Sequence, residues 1–412
     1  MGRPSSNPKN GVGNPPRYYL NLVGKTLQVL DALRQKRAGL RLTDVAEMAH
    51  TDKATALRIL YTLQRHGWAC RDLRTKKFSL PLGYRNYRIG YAQLSSEELV
   101  SQTITRSLIE EAKKYFVELL VVDNRYDMDR AVENAHWIIE QRVDFAIEYQ
   151  IHYRIAPVIA EMFAKARIPT LAIDIPQPGA LYYGANNYVA GLMAGEALGN
   201  VARKRWRGQV DHILLLETFS AGPIPHARMT GTLRGLRKLL SSIQRVRVVR
   251  RDAKDIESGG YEATKKFLQR LSSRDHLLIA AVADSCALGA LRAVREAGHD
   301  RYTAIVGQGF GPDPRITVEI SDTSSPFVAT VAYFHEKYGG NILPTVLRWL
   351  NNERVPPAIY IDHVLVTSDN LSNFCPPHNQ LPSICDGEKT KGMSGISALV
   401  DGPTESRHSE WK

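Results

Sequence analysis

The sequence predicts an α/β protein in two parts: a small helical N-terminal domain tipped by a hairpin, and a larger domain of two parallel-sheet lobes. Three observations lead there. The first 88 residues hold 17 basic and 5 acidic side chains, so the excess positive charge is confined to them. From residue 87 onward, strand-like apolar runs alternate with helical runs at the spacing of βαβ units. The two ends differ again: the start is rich in Pro, Gly, Asn and Ser, and the last residues have prolines and glycines with little periodicity. Such ends are expected to be disordered. The expected partition is 1–17 (arm), 18–86 (helical domain), 87–373 (two-lobed domain) and 374–412 (tail).

Composition sets bounds on the rest. The chain has 412 residues, is 43% hydrophobic and carries a formal net charge of +12. The charge of residues 89–412 is balanced, with 37 basic and 37 acidic side chains. No apolar stretch approaches 18 residues and no apolar run follows the basic N-terminus, so neither a membrane span nor a secretory signal is expected. The four cysteines, Cys70, Cys286, Cys375 and Cys385, match no zinc spacing and no disulfide framework. A reducing, cytoplasmic setting follows as the expectation. Cys375 and Cys385 with His378 and His408 fit no structural zinc site, and no metal or cofactor is expected.

In the first domain, "VGKTLQVLDALRQ" predicts a helix at about 23–35 with Val23, Leu27, Leu30 and Leu33 on one face. A second helix is expected at about 43–49, with Thr43 as its cap. A third begins after Thr51, whose hydroxyl is the expected cap, with Asp52 at the positive helix end. Ala56, Ile59, Leu60 and Leu63 form its buried stripe. The opposite side carries Thr51, Thr55, Arg58 and Thr62, with Lys53 at the rim. Short hydroxyl side chains let a helix approach closely, and an arginine reaches phosphate or a guanine edge, so this face suits the DNA major groove. "WACRDLRTKKFSLP" predicts a hairpin with Arg71, Arg74, Lys76 and Lys77 at its tip, placing cations beside the groove.

The blocks "VGKTLQVLDAL", "LTDVAEMA", "DKATALRILYTLQRHGW" and "RTKKFSLP", in that order and spacing, resemble the winged helix-turn-helix of IclR-type transcriptional regulators. The resemblance implies a double-stranded DNA operator as partner. It departs at Asp52, where that family often has a proline and where a carboxylate is mildly repulsive towards phosphate.

In the second domain, two α/β halves are expected at about 87–203 and 210–310, with a closing portion to about 373. Ligands of doubly wound sheets bind beyond the carboxyl ends of the strands. The polar residues just after strands are therefore the candidates: Asp174, Asn186 and Asn187, Arg228, Asp284 and Gln308. Carboxylates, amides and a guanidinium together match the donors and acceptors of a polyhydroxylated molecule. Arg228 also leaves room for an acidic sugar or a sugar phosphate.

"VDFAIEYQ", "IPTLAID", "NNYVAGLMAGEALG", "ARMTG", "DSCALGALRAVREAG" and "AIVGQGF" resemble the type I periplasmic sugar-binding proteins and the effector domains of LacI-type repressors. The resemblance implies Asp174 as a ligand to sugar hydroxyls and Arg228 as a clamp. It departs at Ile175, Ala283 and Gln308, where that family often has arginine, asparagine and an acid. The combined expectation is a ligand-responsive regulator that senses a sugar, polyol or sugar-derived metabolite and works as a homodimer on a near-palindromic operator. The alternatives are a solute-binding protein of a sugar transporter and an α/β enzyme. No Gly-rich phosphate loop, nucleophile elbow or His/Glu metal motif supports the enzyme.

Overall fold

The computed structural model describes residues 20–36, 39–81 and 87–374. The predicted arm and tail, with Cys375, His378, Cys385 and His408, lie outside the described residues. The chain divides into two compact units, Met1–Asn86 and Tyr87–Lys412.

The first unit contains α1 (Asn21–Gln35), α2 (Leu42–Met48), α3 (Lys53–Arg65), β1 (Cys70–Arg71) and β2 (Phe78–Ser79). Val29, Leu33, Val45, Ile59, Leu60 and Phe78 are among the side chains of its core. The buried stripe of α3 is the predicted one, Ala56, Ile59, Leu60 and Leu63. That of α1 is not. Val29, Ala32 and Leu33 face inward, Leu30 packs only partly, and Val23 and Leu27 are exposed. α1 carries two apolar ridges, and only the C-terminal one lies over α2 and α3. The predicted caps also change. Asp52, not Thr51, caps α3, its carboxylate accepting from the Thr55 N–H at 2.9 Å. The Thr51 hydroxyl is buried and has no hydrogen-bond partner. Thr43 lies inside α2, and Asp44 closes its first turn by accepting from the Arg41 N–H at 3.1 Å.

The hairpin forms as β1 and β2, antiparallel, with Leu40 bridging to Phe78 as a third, one-residue strand. Asp72 shapes its tip by accepting from the N–H groups of Arg74 and Thr75 at 2.8 and 2.9 Å, an Asx turn.

The second unit begins with β3 (Arg88–Gln93), α4 (Leu99–Lys114), β4 (Glu118–Asp123), α5 (Met128–Glu140), β5 (Phe145–Tyr149), α6 (Ala156–Lys165), β6 (Thr170–Ile173) and β7 (Leu181–Gly184). It continues with α7 (Asn187–Trp206), β8 (His212–Glu217), α8 (Pro223–Leu239), β9 (Arg247–Asp252), α9 (Glu257–Leu268), β10 (Leu277–Ala281), α10 (Asp284–Glu296) and β11 (Thr303–Gly309). It closes with α11 (Pro314–Ser321), β12 (Phe327–Ala332), α12 (Tyr338–Leu350), β13 (Ala358–Tyr360) and β14 (Val364–Thr367).

Two six-stranded sheets result, ordered β13-β7-β6-β5-β3-β4 and β14-β12-β11-β10-β8-β9. All pairings are parallel except β12 with β14. Helices cover both faces of such sheets, so central strands such as β5, β10 and β11 are buried along their whole length, and β10 reads as a continuous apolar run.

The lobes are not consecutive halves of the chain. α7 follows a strand of the first sheet but packs on β10, β11 and β12 of the second. α12 follows a strand of the second sheet and packs on α4 of the first. The chain thus crosses between lobes near 185–186, 333–337 and 361–363, and the predicted boundary near 203 moves to the start of α7. The reason lies in α7 itself. Its glycines let it lie against α8 at backbone distance: a Cβ on Gly191 would stand 1.8 Å from the Arg228 carbonyl oxygen.

Inside the first lobe, Glu148 on β5 is buried, with only Asn124 Nδ2 donating to it, at 3.3 Å, and its Oε2 unpartnered. Burial pushes its carboxyl up from 4.5 to about 8. Between those values the folded chain holds a proton that the unfolded chain has lost. Glu148 thus contributes stability that is fully present below pH 4.5 and lost as pH rises through 8. The melting temperature should fall from pH 6.5 to 8.5, and Glu148→Gln should flatten that fall. Parallel melting curves for both proteins across the window would refute the assignment.

Candidate nucleic-acid interface and ligand cleft

In the first unit, α3 presents Lys53, Leu57, Arg58, Tyr61, Thr62 and Arg65 to solvent. Of the residues expected to contact DNA, Lys53, Arg58 and Thr62 lie on this exposed side. Thr55 is half-buried, and Thr51 is held at the turn with its hydroxyl enclosed. The Thr62 hydroxyl donates to the Arg58 carbonyl at 2.9 Å, so its proton is already committed. Asp52 is engaged by the Thr55 amide, and that hydrogen bond holds its carboxyl below the ordinary value. The carboxylate that departs from the family pattern therefore has a capping role here.

On the hairpin, Arg74 and Lys76 are exposed and Lys77 is half-buried. Lys76, Arg71 and Arg41 line a groove with Thr43, Thr75 and Leu57, between the start of α2, α3 and the hairpin. Arg71 also lies over the Phe78 ring at 5.2 Å. Sequence reasoning missed Arg41, Leu57 and Tyr61. Tyr61, 68% exposed, is the informative one. Once the stripe at 56, 59, 60 and 63 is buried, helical geometry puts 57, 58, 61 and 65 outside, and an aromatic there has no packing reason.

In the second unit, a cavity of about 510 Å³ lies between the lobes. Glu98, Tyr126, Tyr149 and Asp174 line it from the first lobe. Thr218, Arg228, Asp255 and Asp284 line it from the second, and Tyr333 and His335 from a crossing segment. Its position beyond the carboxyl ends of both sheets is that expected of a doubly wound fold.

Asp174 directly follows β6 with a left-handed backbone, φ 60°. Its Oδ1 is buried and accepts no hydrogen bond. Gly184 makes room for it, since a Cβ there would stand 2.6 Å from Oδ1. Burial pushes the Asp174 carboxyl up to about 6, against the pull of Arg228. Asp284, the first residue of α10, accepts from the Thr330 hydroxyl at 2.7 Å and the Gly311 N–H at 3.2 Å. Burial likewise pushes it up to about 6, with those bonds opposing.

Arg228, on α8, donates from Nε to Asn187 Oδ1 at 2.6 Å and from Nη1 to the Val282 carbonyl. Its guanidinium stands 5.1 Å from the centre of the Tyr333 ring. Asn187 is thus brought to the site but does not line the cavity. Its amide donates to the Ala185 carbonyl at 3.3 Å, and its oxygen holds Arg228. Gln308 lines the cavity with both amide ends taken, by the Tyr333 hydroxyl at 2.7 Å and the Ala190 carbonyl at 3.5 Å. Asn187 holds the arginine, and Gln308 holds the tyrosine while lining the cavity.

Two carboxylates were missed. Asp255, φ 62°, follows β9 by three residues and accepts no hydrogen bond among the described residues. Burial pushes it up to about 7, helped by the like charges of Glu98 and Asp174. Glu98 caps α4, accepting from the N–H groups of Val100 and Ser101 at 2.9 and 2.6 Å, and burial raises it too. The after-strand rule that selected Asp174 also selects Asp255, in the "RDAKD" that ends β9. Glu98 carried no such signal beyond its place at a helix start. Among the described residues no group of three or more His, Cys, Asp or Glu side chains could hold a metal ion, and no helix is long and apolar enough to cross a membrane.

Two tests follow. Arg58→Ala should weaken binding of duplex DNA, and Lys76→Ala with Lys77→Ala should lower the slope of log affinity against log salt by roughly one per lost phosphate contact. Gel-shift titrations at three salt concentrations read both; equal curves for wild type and Arg58→Ala would remove α3 from the interface. Asp174→Ala should abolish polyol binding in calorimetry while the far-ultraviolet circular dichroism stays unchanged.

Comparison with known proteins agrees with both halves. The IclR helix-turn-helix domain family matches residues 22–73, and the periplasmic binding protein domain family matches residues 95–315. Among solved structures, the chain resembles an ABC sugar transporter subunit from Rhodobacter sphaeroides: 21% identity, 69% of this chain and 99% of that one, TM-score 0.61. It also resembles a periplasmic solute-binding protein from Actinobacillus succinogenes with bound D-allose: 18% identity, 70% and 100% coverage, TM-score 0.60. A solute-binding protein from Bacillus halodurans with bound myo-inositol matches at 20% identity, 70% and 97% coverage, TM-score 0.61. No curated protein matches the chain. Since the second match spans more than half of its residues, the chain belongs to the periplasmic binding protein domain family, and it carries an IclR helix-turn-helix domain ahead of that fold.

Proposed function

We propose that this chain is a ligand-responsive transcriptional regulator that binds an operator through its first unit and a small polyhydroxylated molecule in the cleft of its second. The observation that carries the reading is their union: a basic helix-turn-helix and a two-lobed binding cleft in one polypeptide. The neighbouring structures with allose and myo-inositol support a sugar or polyol as ligand. A transport receptor of this fold has no use for the basic domain, and the cleft residues have bond patterns that hold and orient rather than activate a nucleophile. The protein acts in the cytoplasm, where DNA is, without catalysis and in the manner of LacI-type effector domains.

A homodimer fits the same reading. Helix-turn-helix readers pair so that two reading helices meet half-sites about one turn apart. α1 supports pairing, because Leu20, Val23 and Leu27 leave an apolar ridge exposed at helical spacing.

Linkage supplies the test. A ligand that changes operator affinity binds the two states unequally by the same factor. Operator fragments selected from genomic DNA should bind the full chain in fluorescence anisotropy, and a cleft ligand should shift that affinity by roughly 5- to 150-fold. Asp174→Ala should bind the operator and lose the shift. An operator affinity indifferent to every ligand that calorimetry shows bound would refute the regulatory reading.

A further inference from the structure

The cleft is more acidic than a neutral sugar requires. Glu98 and Asp174 face it from one lobe, Asp255 and Asp284 from the other, and Arg228 is the one cation among the lining residues apart from Arg315 at the rim. Arg315 is neutralised by Asp313 and Glu257, at 2.6 and 2.8 Å. Arg228 is spoken for in part by Asn187, Val282 and the Tyr333 ring. One guanidinium therefore stands against four carboxylates. Asp284 is held by Thr330 and Gly311 and Glu98 by two amides, but Asp255 and the buried Oδ1 of Asp174 accept nothing. Thr218 and His335 also line the cavity, and Thr218 Oγ1 and His335 Nδ1 are buried atoms without partners, at 7% and 6% residue exposure. Unpaired buried polar atoms on this scale mark a place that a ligand completes. The same balance argues against the acidic sugar or sugar phosphate for which Arg228 leaves room, since each added negative charge would meet four of its own sign.

We propose that the cleft takes a polyhydroxylated ligand bearing an ammonium group, an amino sugar or an aminocyclitol, with the ammonium seated between Glu98 and Asp255 and the hydroxyls on Asp174, Asp284 and Arg228. The inference rests on the sugar-cleft reading above and sharpens it. An ammonium at Asp255 supplies the missing counter-charge and lets the carboxylates ionise together. Because Glu98 and Asp255 belong to opposite lobes, one cation bridging them favours closure in a way that a hydroxyl, which carries no net charge, does so less strongly.

The test uses the full chain and a matched panel in calorimetry at pH 7.5: D-glucosamine, D-galactosamine and D-mannosamine, their N-acetyl derivatives, and the parent hexoses. At least one amine should bind roughly tenfold or more tighter than both its parent and its N-acetyl form. In Asp255→Asn that ratio should collapse towards one. Equal or tighter binding of the neutral hexoses would overturn the charge inference and leave the sugar reading standing. Tightest binding of an added hexose 6-phosphate would overturn it as well. Failure of every compound, with the fold intact by circular dichroism, would overturn the inference together with the sugar reading.

Discussion

Arg228 is a half-buried cation, and several elements of the second unit hold it in place. An unpaired guanidinium inside a protein is costly, so its donors must be met. Asn187 meets one, Val282 another, and the Tyr333 face lies alongside. Each of these partners stands at a junction: Asn187 opens α7 just after the first crossing, Val282 follows β10, and Tyr333 opens the second crossing. The close contact of α7 with α8, possible because Gly191 and Gly231 have no side chains, sets the distance at which Asn187 and Arg228 meet. A cleft residue is thereby tied to segments that connect the two lobes. Any ligand that pulls on Arg228 pulls on the crossings too, which is the connection a binding-driven closure requires.

The carboxylates work in the opposite sense. Burial raises Asp174, Asp255 and Asp284 to about 6 or 7, so near neutral pH the empty cleft sits close to the titration of its own walls. Opening to solvent relieves that desolvation, while closure deepens it. A ligand with enough donors offsets the deepening.

Much of this was legible in the sequence. The parallel-sheet character followed from strand-like and helical runs alternating at the spacing of βαβ units, and the α3 stripe from strict helical spacing. Asp174 and Asp284 were legible because one directly follows a strand and the other opens a helix at the carboxyl ends of the sheets, and Arg228, inside α8, was legible through the family resemblance. What was not legible depended on tertiary partners. α1 has two apolar ridges of similar quality, and only the packing of α2 and α3 selects Val29 and Leu33 over Val23 and Leu27. Asn187 and Gln308 have the right chemistry in the right place, yet neighbouring donors and acceptors occupy them. The assignment of α7 to the second lobe was hidden because chain order and spatial order part at a crossing, which local patterns do not record.

The two units also exclude each other's partner. The first 88 residues carry the whole excess of twelve positive charges, while the second unit turns four carboxylates into its cleft. A polyanion is attracted to the α3 face and hairpin, where Arg58, Arg74 and Lys76 stand in solvent, and repelled from the cleft interior. A small polyhydroxylated molecule finds no enclosed acceptors on the exposed α3 face and several in the cleft. Nucleic acid and effector therefore do not compete for one surface, whatever their concentrations. In the regulatory reading proposed above, coupling between them passes through the protein's conformation rather than through displacement.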